Sequence, residues 1–205
     1  MEDRPKSLKN EAERVARRQL LKQEHILPLT CLVDEIKQDQ PHKKTPYFDP
    51  LDGGIEAQCL FVLEAPGPKA VESGFVSRNN NDETAKNFFK INEGAGIPRT
   101  KTITWNIVPW YLGKDGKIQA AKSSDIEAGL PYLFRLRELL PKLRVIVLVG
   151  RKAQKVEQEL RTRFTDIEVF KCYHPSPLFV NNNKRNRQKI LDELKLVKHI
   201  LDGLT

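Results

Sequence analysis

The sequence has few cysteines and no long apolar run. Its three cysteines, Cys31, Cys59 and Cys172, are widely spaced. Without a Cys-x-x-Cys pair they do not predict a zinc or iron–sulfur site. No stretch approaches the roughly 18 apolar residues of a membrane-spanning helix, and the charged segment Met1–Asn10 lacks the apolar core of a signal peptide. We therefore expect no metal, no cofactor and no membrane partner, and a reducing cytoplasmic location.

Acidic residues are outnumbered by basic ones. The 205 residues include 35 Lys and Arg against 27 Asp and Glu, which gives a formal net charge of +8. Positive charge favours nucleic acid over acidic metabolites as a partner, although many basic proteins bind neither. The length fits one domain, and a hydrophobic content of 39% is enough for a single core.

The chain divides at a connector rich in proline and glycine. Residues 1–40 have helical patterns, and the polar residues 11–24 are expected to face solvent. Residues 40–54 contain three prolines and a Gly-Gly pair, which predict a loop. We interpret 1–56 as an N-terminal helical extension and connector that belongs to the same domain as the α/β region, 57–205.

From residue 57 onward, short apolar runs alternate with helical patterns. Continuous apolar runs are typical of parallel strands buried on both faces, and amphipathic segments between them are typical of the covering helices. The predicted strands are 59–63, 102–108, 145–149 and 167–173, and the predicted helices are 82–91, 124–140, 152–164 and 186–201. The pattern predicts a three-layer α/β/α fold with a central four-stranded parallel sheet.

Ligands of such sheets bind beyond the carboxyl ends of the strands. The segments predicted to meet there are Glu64–Gly67, Asn106–Trp110, Gly150–Arg151 and His174–Leu178. The amide of Asn106 interrupts an apolar strand, so it needs partners, either neighbouring backbone groups or the imide edge of a pyrimidine. His174 follows a strand in a turn stiffened by prolines, and the basic, acid-free stretch 181–189 comes next. This arrangement predicts a hydrogen-bond donor beside a polyanion.

Three motifs in this order resemble those of the uracil-DNA glycosylase superfamily. They are Glu64-Ala-Pro-Gly67, Asn106 before Val108-Pro109, and His174-Pro-Ser-Pro177. The resemblance covers roughly residues 57–200 and implies the same four-stranded parallel fold. The Glu-Ala-Pro-Gly form is most similar to the iron–sulfur bacterial branch, whose cysteine ligands have no counterpart here. The resemblance therefore implies a DNA repair enzyme without an iron–sulfur cluster, which flips uracil out of DNA and hydrolyses its N-glycosidic bond.

The resemblance also implies roles for individual residues. His174 would donate a hydrogen bond to the base oxygen on which charge develops, and Glu64 would activate the attacking water. Asn106 would read the imide edge of the base, and Phe75 would stack on it. The other expected base-binding residues are Ala65, Pro66 and Gly67. The expected DNA contacts are Ser176, Pro177, Leu178, Phe179, Lys184, Arg185 and Arg187.

Parts of this assignment stay open at the level of sequence. Ala65 stands where the best-known branch has an aspartate. The neighbouring Glu64 reaches the site only if the turn begins at or before it, because adjacent side chains of a strand point to opposite faces. Residues 77–82 form either a plain surface turn or part of the pocket. Either Leu178 or Phe179 fills the gap left by the flipped base.

The sequence is compatible with three functions. The first is a monofunctional uracil-DNA glycosylase, with hypoxanthine as a close variant substrate, that acts as a monomer at the bacterial nucleoid without an obligate protein partner. The second is a non-catalytic relative that binds DNA containing a deaminated base. The third is an α/β enzyme that acts on free nucleotides. Binding to nucleotides that does not depend on salt, with no affinity for DNA, would favour this third function.

Overall fold

Four short parallel strands form the centre of the computed structural model, which describes residues 2–113 and 118–203. Two helices and a short strand precede the central sheet. In chain order the elements are α1 (Glu11–Gln19), α2 (Leu27–Asp39), β1 (Tyr47–Phe48), β2 (Cys59–Leu63), α3 (Pro68–Ser73), β3 (Phe75–Val76), α4 (Glu83–Gly94), β4 (Thr102–Asn106), α5 (Ser123–Glu138), β5 (Val145–Val149), α6 (Glu157–Arg163), β6 (Glu168–Cys172), α7 (Pro177–Val180) and α8 (Lys184–Leu201). No helix of this described part has the length and apolar character needed to cross a membrane.

The sheet has the strand order β4-β2-β5-β6, and all its pairs are parallel. The central strand β2 aligns Cys59 with Thr102 on one side and with Val145 on the other. Its alternate side chains face two separate cores: Leu60 and Val62 face one, and Cys59 and Phe61 the other. Helices α2, α5 and α6 cover the first core, and α4 and α8 cover the second. The predicted three-layer fold is confirmed.

The order of the strands creates a switch point. From β2 the chain crosses to β4 at one edge, and it then returns to β5 on the other side of β2. In sheets of this kind the crevice for ligands lies at the carboxyl ends of the two strands whose connections leave in opposite directions. Here those strands are β2 and β5, so the segment after β2 is placed at the mouth of the crevice.

The N-terminal segment is attached through buried charges. Arg17 of α1 is completely buried and pairs with Asp49, which also accepts a hydrogen bond from Arg99 Nη2 at 2.7 Å. Arg99 Nε in turn donates to Asp52 Oδ1 at 2.8 Å. The prediction that residues 11–24 face solvent is therefore wrong for Arg17, because this side chain is the partner of a buried carboxylate.

Candidate active site

The loop after β2 brings Glu64 to the crevice. The backbone N–H of Ile107 donates to the Leu63 carbonyl at 2.8 Å, and that of Val108 donates to the Glu64 carbonyl at 3.0 Å. The chain bends at Glu64, so the condition for this side chain to reach the site is met. Glu64 Oε1 accepts a hydrogen bond from the backbone N–H of Ala121 at 2.6 Å. The carboxylate thus also secures the segment that precedes α5.

Two adjoining cavities lie at this edge of the sheet. The outer cavity, of about 570 Å³, is lined by Glu64 and His174 among others. The inner pocket, of about 90 Å³, reaches Asn106 at the end of β4. Both are lined by Ala65, Pro66, Gly67 and Asp82. The structure therefore brings residues of all three sequence motifs to two neighbouring cavities that share part of their walls.

His174 sits against the loop after β5. Gly150 has a left-handed backbone with φ of +85°, and a Cβ on it would lie 3.1 Å from the Cβ of His174. The next residue, Pro175, is held by α4, because Asn87 Nδ2 donates to its carbonyl at 3.1 Å. Burial lowers the pKa of His174, while the carboxylates of Glu64 and Asp82 act in the opposite direction. The imidazole is therefore mainly neutral at pH 7, and it presents one N–H donor.

Asn106 carries an unused donor. Its side chain is 2% exposed, and its Nδ2 has no hydrogen-bond partner among the described residues. A buried amide hydrogen without a partner costs free energy in the free protein. One of the two alternatives drawn from the sequence was that neighbouring backbone groups satisfy the Asn106 amide. This does not hold for Nδ2 among the described residues.

Phe75 lies apart from both cavities. Its ring is completely buried and packs with Leu8 and Leu21, because β3 pairs with β1 and directs this side chain toward the N-terminal segment. The structure does not bring it to the place where a base would stack. The aromatic ring that lines the inner pocket is Phe88 of α4.

Residues 77–82 form part of the pocket wall. Arg78, Asn80 and Asp82 line the inner pocket, and the first two are buried. Asn80 is fixed by Ser73 Oγ, which donates to its Oδ1 at 2.7 Å, and by its own Nδ2, which donates to the Phe75 carbonyl at 2.9 Å. The interpretation of this segment as a plain surface turn is wrong. The segment ends at Asp82, which caps α4 by accepting a hydrogen bond from Ala85 N–H at 2.8 Å.

The turn after His174 exposes one large apolar side chain. Leu178 is 90% exposed, in the first turn of α7, where Pro177 is the first residue. Phe179 is partly buried, and its ring stacks on that of Tyr173 with 4.7 Å between the ring centroids. Ser176 caps α7, because its hydroxyl accepts a hydrogen bond from Phe179 N–H at 3.4 Å. Of the two candidate wedges, only Leu178 stands free of the protein surface.

Positive charge follows this turn. Arg185 and Arg187 are exposed in the first turn of α8. The side chain of Lys184, also expected to contact DNA, lies outside the described residues. Asn186 Nδ2 donates to the Phe179 carbonyl at 2.8 Å, so the start of α8 lies against α7.

The cysteines show no sign of a metal site. Burial raises the pKa of the Cys59 and Cys172 thiols, which keeps both protonated. Within residues 2–113 and 118–203, no group of three or more His, Cys, Asp or Glu is placed to hold a metal ion.

Comparison with known proteins agrees with the geometry of the site. Residues 50–195 match the family model of the uracil DNA glycosylase superfamily. The chain belongs to this superfamily, a family of DNA glycosylases. Among curated proteins, the comparison finds no match.

Two solved structures illustrate the likeness. The crystal structure of SMUG2 from Pedobacter heparinus is 12% identical with a TM-score of 0.54, over 90% of this chain and 87% of that chain. The solution NMR structure of a candidate uracil DNA glycosylase from Methanosarcina acetivorans is 16% identical with a TM-score of 0.49, over 77% of this chain and 99% of that chain. At these identities, the likeness to SMUG2 shows the fold.

Proposed function

We propose that this protein is a monofunctional DNA glycosylase that hydrolyses the N-glycosidic bond of a flipped-out uracil, releases the free base and leaves an abasic site. The observation that carries the proposal is the convergence of Glu64, Asn106 and His174 on two neighbouring cavities at the switch point of the sheet. A flipped base entering this space would meet an imide-reading amide, a neutral donor and a carboxylate. Hypoxanthine presents the same CO–NH edge, so it is a close variant substrate.

The chemistry follows from the character of these groups. As the bond between C1′ and the base nitrogen breaks, its electron pair passes to the base, and the charge is concentrated on the carbonyl oxygen next to that nitrogen. The N–H of the neutral His174 would donate to this oxygen, and such donors are most effective where the bound base excludes water. Water adds to the cationic sugar carbon and loses a proton, for which Glu64 is the proposed acceptor.

The proposed DNA contacts lie in α7 with its cap, Ser176, and at the start of α8. Leu178, the most exposed large apolar side chain of the described residues, would fill the stack vacated by the flipped nucleotide, while Phe179 stays stacked on Tyr173. Ser176 and Pro177 would lie along the backbone of the damaged strand. Phosphates would meet the cations Lys184, Arg185 and Arg187. We propose that the protein acts on DNA as a monomer.

A panel of oligonucleotides tests the proposed activity. Each carries one uracil, hypoxanthine, xanthine or mismatched thymine, in single- and double-stranded form, and is incubated with excess protein and then treated with alkali. We expect strand cleavage at uracil. Intact uracil-containing DNA after prolonged incubation, together with retained binding to it, would instead establish a non-catalytic DNA-binding relative.

Replacing Asn106 with alanine should reduce uracil excision by roughly 10²-fold, because the imide edge of the base loses both of its partners in a dry pocket. Single-turnover rates on the uracil oligonucleotide measure the effect. The free protein should unfold at an unchanged or higher temperature, since the lost Nδ2 donor has no partner among the described residues. If this variant excises uracil at the wild-type rate, Asn106 does not take part in base recognition.

Replacing Glu64 with glutamine separates its two possible roles. Glutamine keeps an oxygen that can accept from Ala121 N–H, but it cannot take a proton from water. We expect excision to fall by about 10- to 100-fold while the unfolding temperature changes little. The matched control is Glu93→Gln on the exposed side of α4, which should leave both quantities unchanged. A rate within twofold of wild type, on the order of experimental error, would assign Glu64 to holding the loop only.

A further inference from the structure

The strand β4 carries polar side chains on one face only. Residues 102, 104 and 106 are Thr, Thr and Asn, and the period of two places them on the same face, toward α4. The residues between them, Ile103 and Trp105, belong to the opposite core. A stripe of three polar side chains inside a buried strand is costly unless each finds a partner.

The stripe is satisfied at one end and unsatisfied at the other. Thr102 Oγ1 accepts from Arg78 Nη2 at 2.6 Å and donates to the Arg99 carbonyl at 2.9 Å. In contrast, Thr104 Oγ1 and Asn106 Nδ2 have no hydrogen-bond partner among the described residues. Both of these residues line the inner pocket, and Thr104 is 4% exposed.

Arg78 adds a third unused group to the same pocket. Its guanidinium is buried and anchored through Nη2 to Thr102, but its Nε–H has no partner in the described part of the chain. The inner pocket is thus lined by three residues that each have a buried hydrogen-bonding atom left free. Only Asn106 is accounted for by recognition of the imide edge.

We infer that Thr104 and Arg78 form a second recognition point for the flipped base, next to Asn106, and that it is complementary to a deaminated purine. The inference rests on the proposed glycosylase function and names its preferred base class. In this arrangement Asn106 Nδ2 donates to the carbonyl oxygen of the base. The Thr104 hydroxyl and the Arg78 Nε–H would then face the ring atom beside that carbonyl.

The two candidate bases differ at that atom. In hypoxanthine the position beside the O6 carbonyl is N7, an acceptor, and an O6/N7 pair is the pattern that arginine reads most often in DNA. In uracil the corresponding position is an apolar C–H group, which leaves the Thr104 hydroxyl and the Arg78 Nε–H without partners. Hypoxanthine would gain hydrogen bonds from these two groups, whereas uracil would leave them as they are in the free protein. The pocket therefore favours hypoxanthine over uracil.

The substitution Thr104→Val tests the inference, because it removes the hydroxyl and keeps the branched shape. We expect hypoxanthine excision to fall about tenfold, the value of one hydrogen bond, while uracil excision stays within about twofold of wild type. The unfolding temperature of the free protein should stay the same or rise, since the hydroxyl has no partner within residues 2–113 and 118–203. Thr104→Ser keeps the hydroxyl and should restore the ratio of hypoxanthine to uracil excision.

Thr102→Val is the matched control for stability. It makes the same chemical change on the same face of β4, but it removes a partnered hydroxyl, so the unfolding temperature should fall. Equal losses on both bases in Thr104→Val, or a fall in its unfolding temperature like that of Thr102→Val, would show a structural hydroxyl and overturn the inference. Release of uracil without any release of hypoxanthine by the wild type overturns the inference and leaves the proposed function standing, whereas release of neither base overturns both.

Discussion

Replacing His174 with alanine should reduce base excision by roughly 10²- to 10³-fold, the usual effect of removing one preorganised donor from a developing anion. The side chain lies in the cavity with Glu64, and its imidazole is mainly neutral because burial lowers its pKa. Single-turnover rates on the uracil oligonucleotide at pH 7 measure the loss. The expected effect is on the rate of bond cleavage, so DNA binding should change much less.

The control for this variant is His199→Ala, which removes an exposed histidine in the last turn of α8 and should leave excision unchanged. A second readout is the free energy of unfolding at acid pH. Because the folded-state pKa of His174 is lowered, the unfolded chain takes up this proton first, and stability decreases as pH falls below about 6.5. His174→Ala should remove that contribution. Excision by His174→Ala at the wild-type rate would exclude the proposed donor.

Replacing Asp49 with alanine should decrease the free energy of unfolding by about 3–5 kcal/mol. Asp49 is completely buried, and it accepts hydrogen bonds from Arg17, Arg99 and Ser77. Burial alone would raise the pKa of Asp49, but Arg99 and Arg17 hold it below its usual value. Its loss leaves the guanidinium of Arg17, which is wholly removed from water, without its carboxylate, while Arg99 keeps its bond to Asp52. Denaturant titration of both proteins measures the difference.

Asp166→Ala is the comparison for a surface ion pair. Asp166 accepts from Arg137 at 2.9 Å, but its side chain is 65% exposed, so its replacement should change stability by about 0.5 kcal/mol or less. If Asp49→Ala costs no more than this, the buried cluster does not secure the N-terminal segment. Because Ser77 adjoins Arg78, Asp49→Ala should also slow excision in the fraction of protein that remains folded.

Strands β2 and β5 could be predicted because a continuous apolar run is recognised from its own residues, whatever the neighbouring strands are. The bounds of 59–63 and 145–149 coincide with β2 and β5. The prediction of 102–108 is two residues too long, because Ile107 and Val108 are buried like strand residues although the chain has already turned. Helix α3 was not predicted, since six residues beginning at Pro68 are too few to show a helical period.

The polar stripe of β4 was visible in the sequence as alternation in Thr102-Ile-Thr-Trp-Asn106. From its sequence we interpret this run only as an apolar strand interrupted by Asn106, although the period of two places Thr104 on the same face. What the alternation does not reveal is which hydroxyl is satisfied. That depends on Arg78, whose Nη2 reaches Thr102 and not Thr104.

The sequence by itself determined the four-stranded parallel fold, the family, and the edge of the sheet at which the motifs meet. These follow from local patterns and from the order of motifs along the chain. Only the tertiary structure decided that Glu64 reaches the cavity while bonded to Ala121, that Phe75 turns away from it, and that Arg17 is buried. The reason is physical: a side chain's partners lie tens of residues away, and residue type alone does not determine which distant group it will meet.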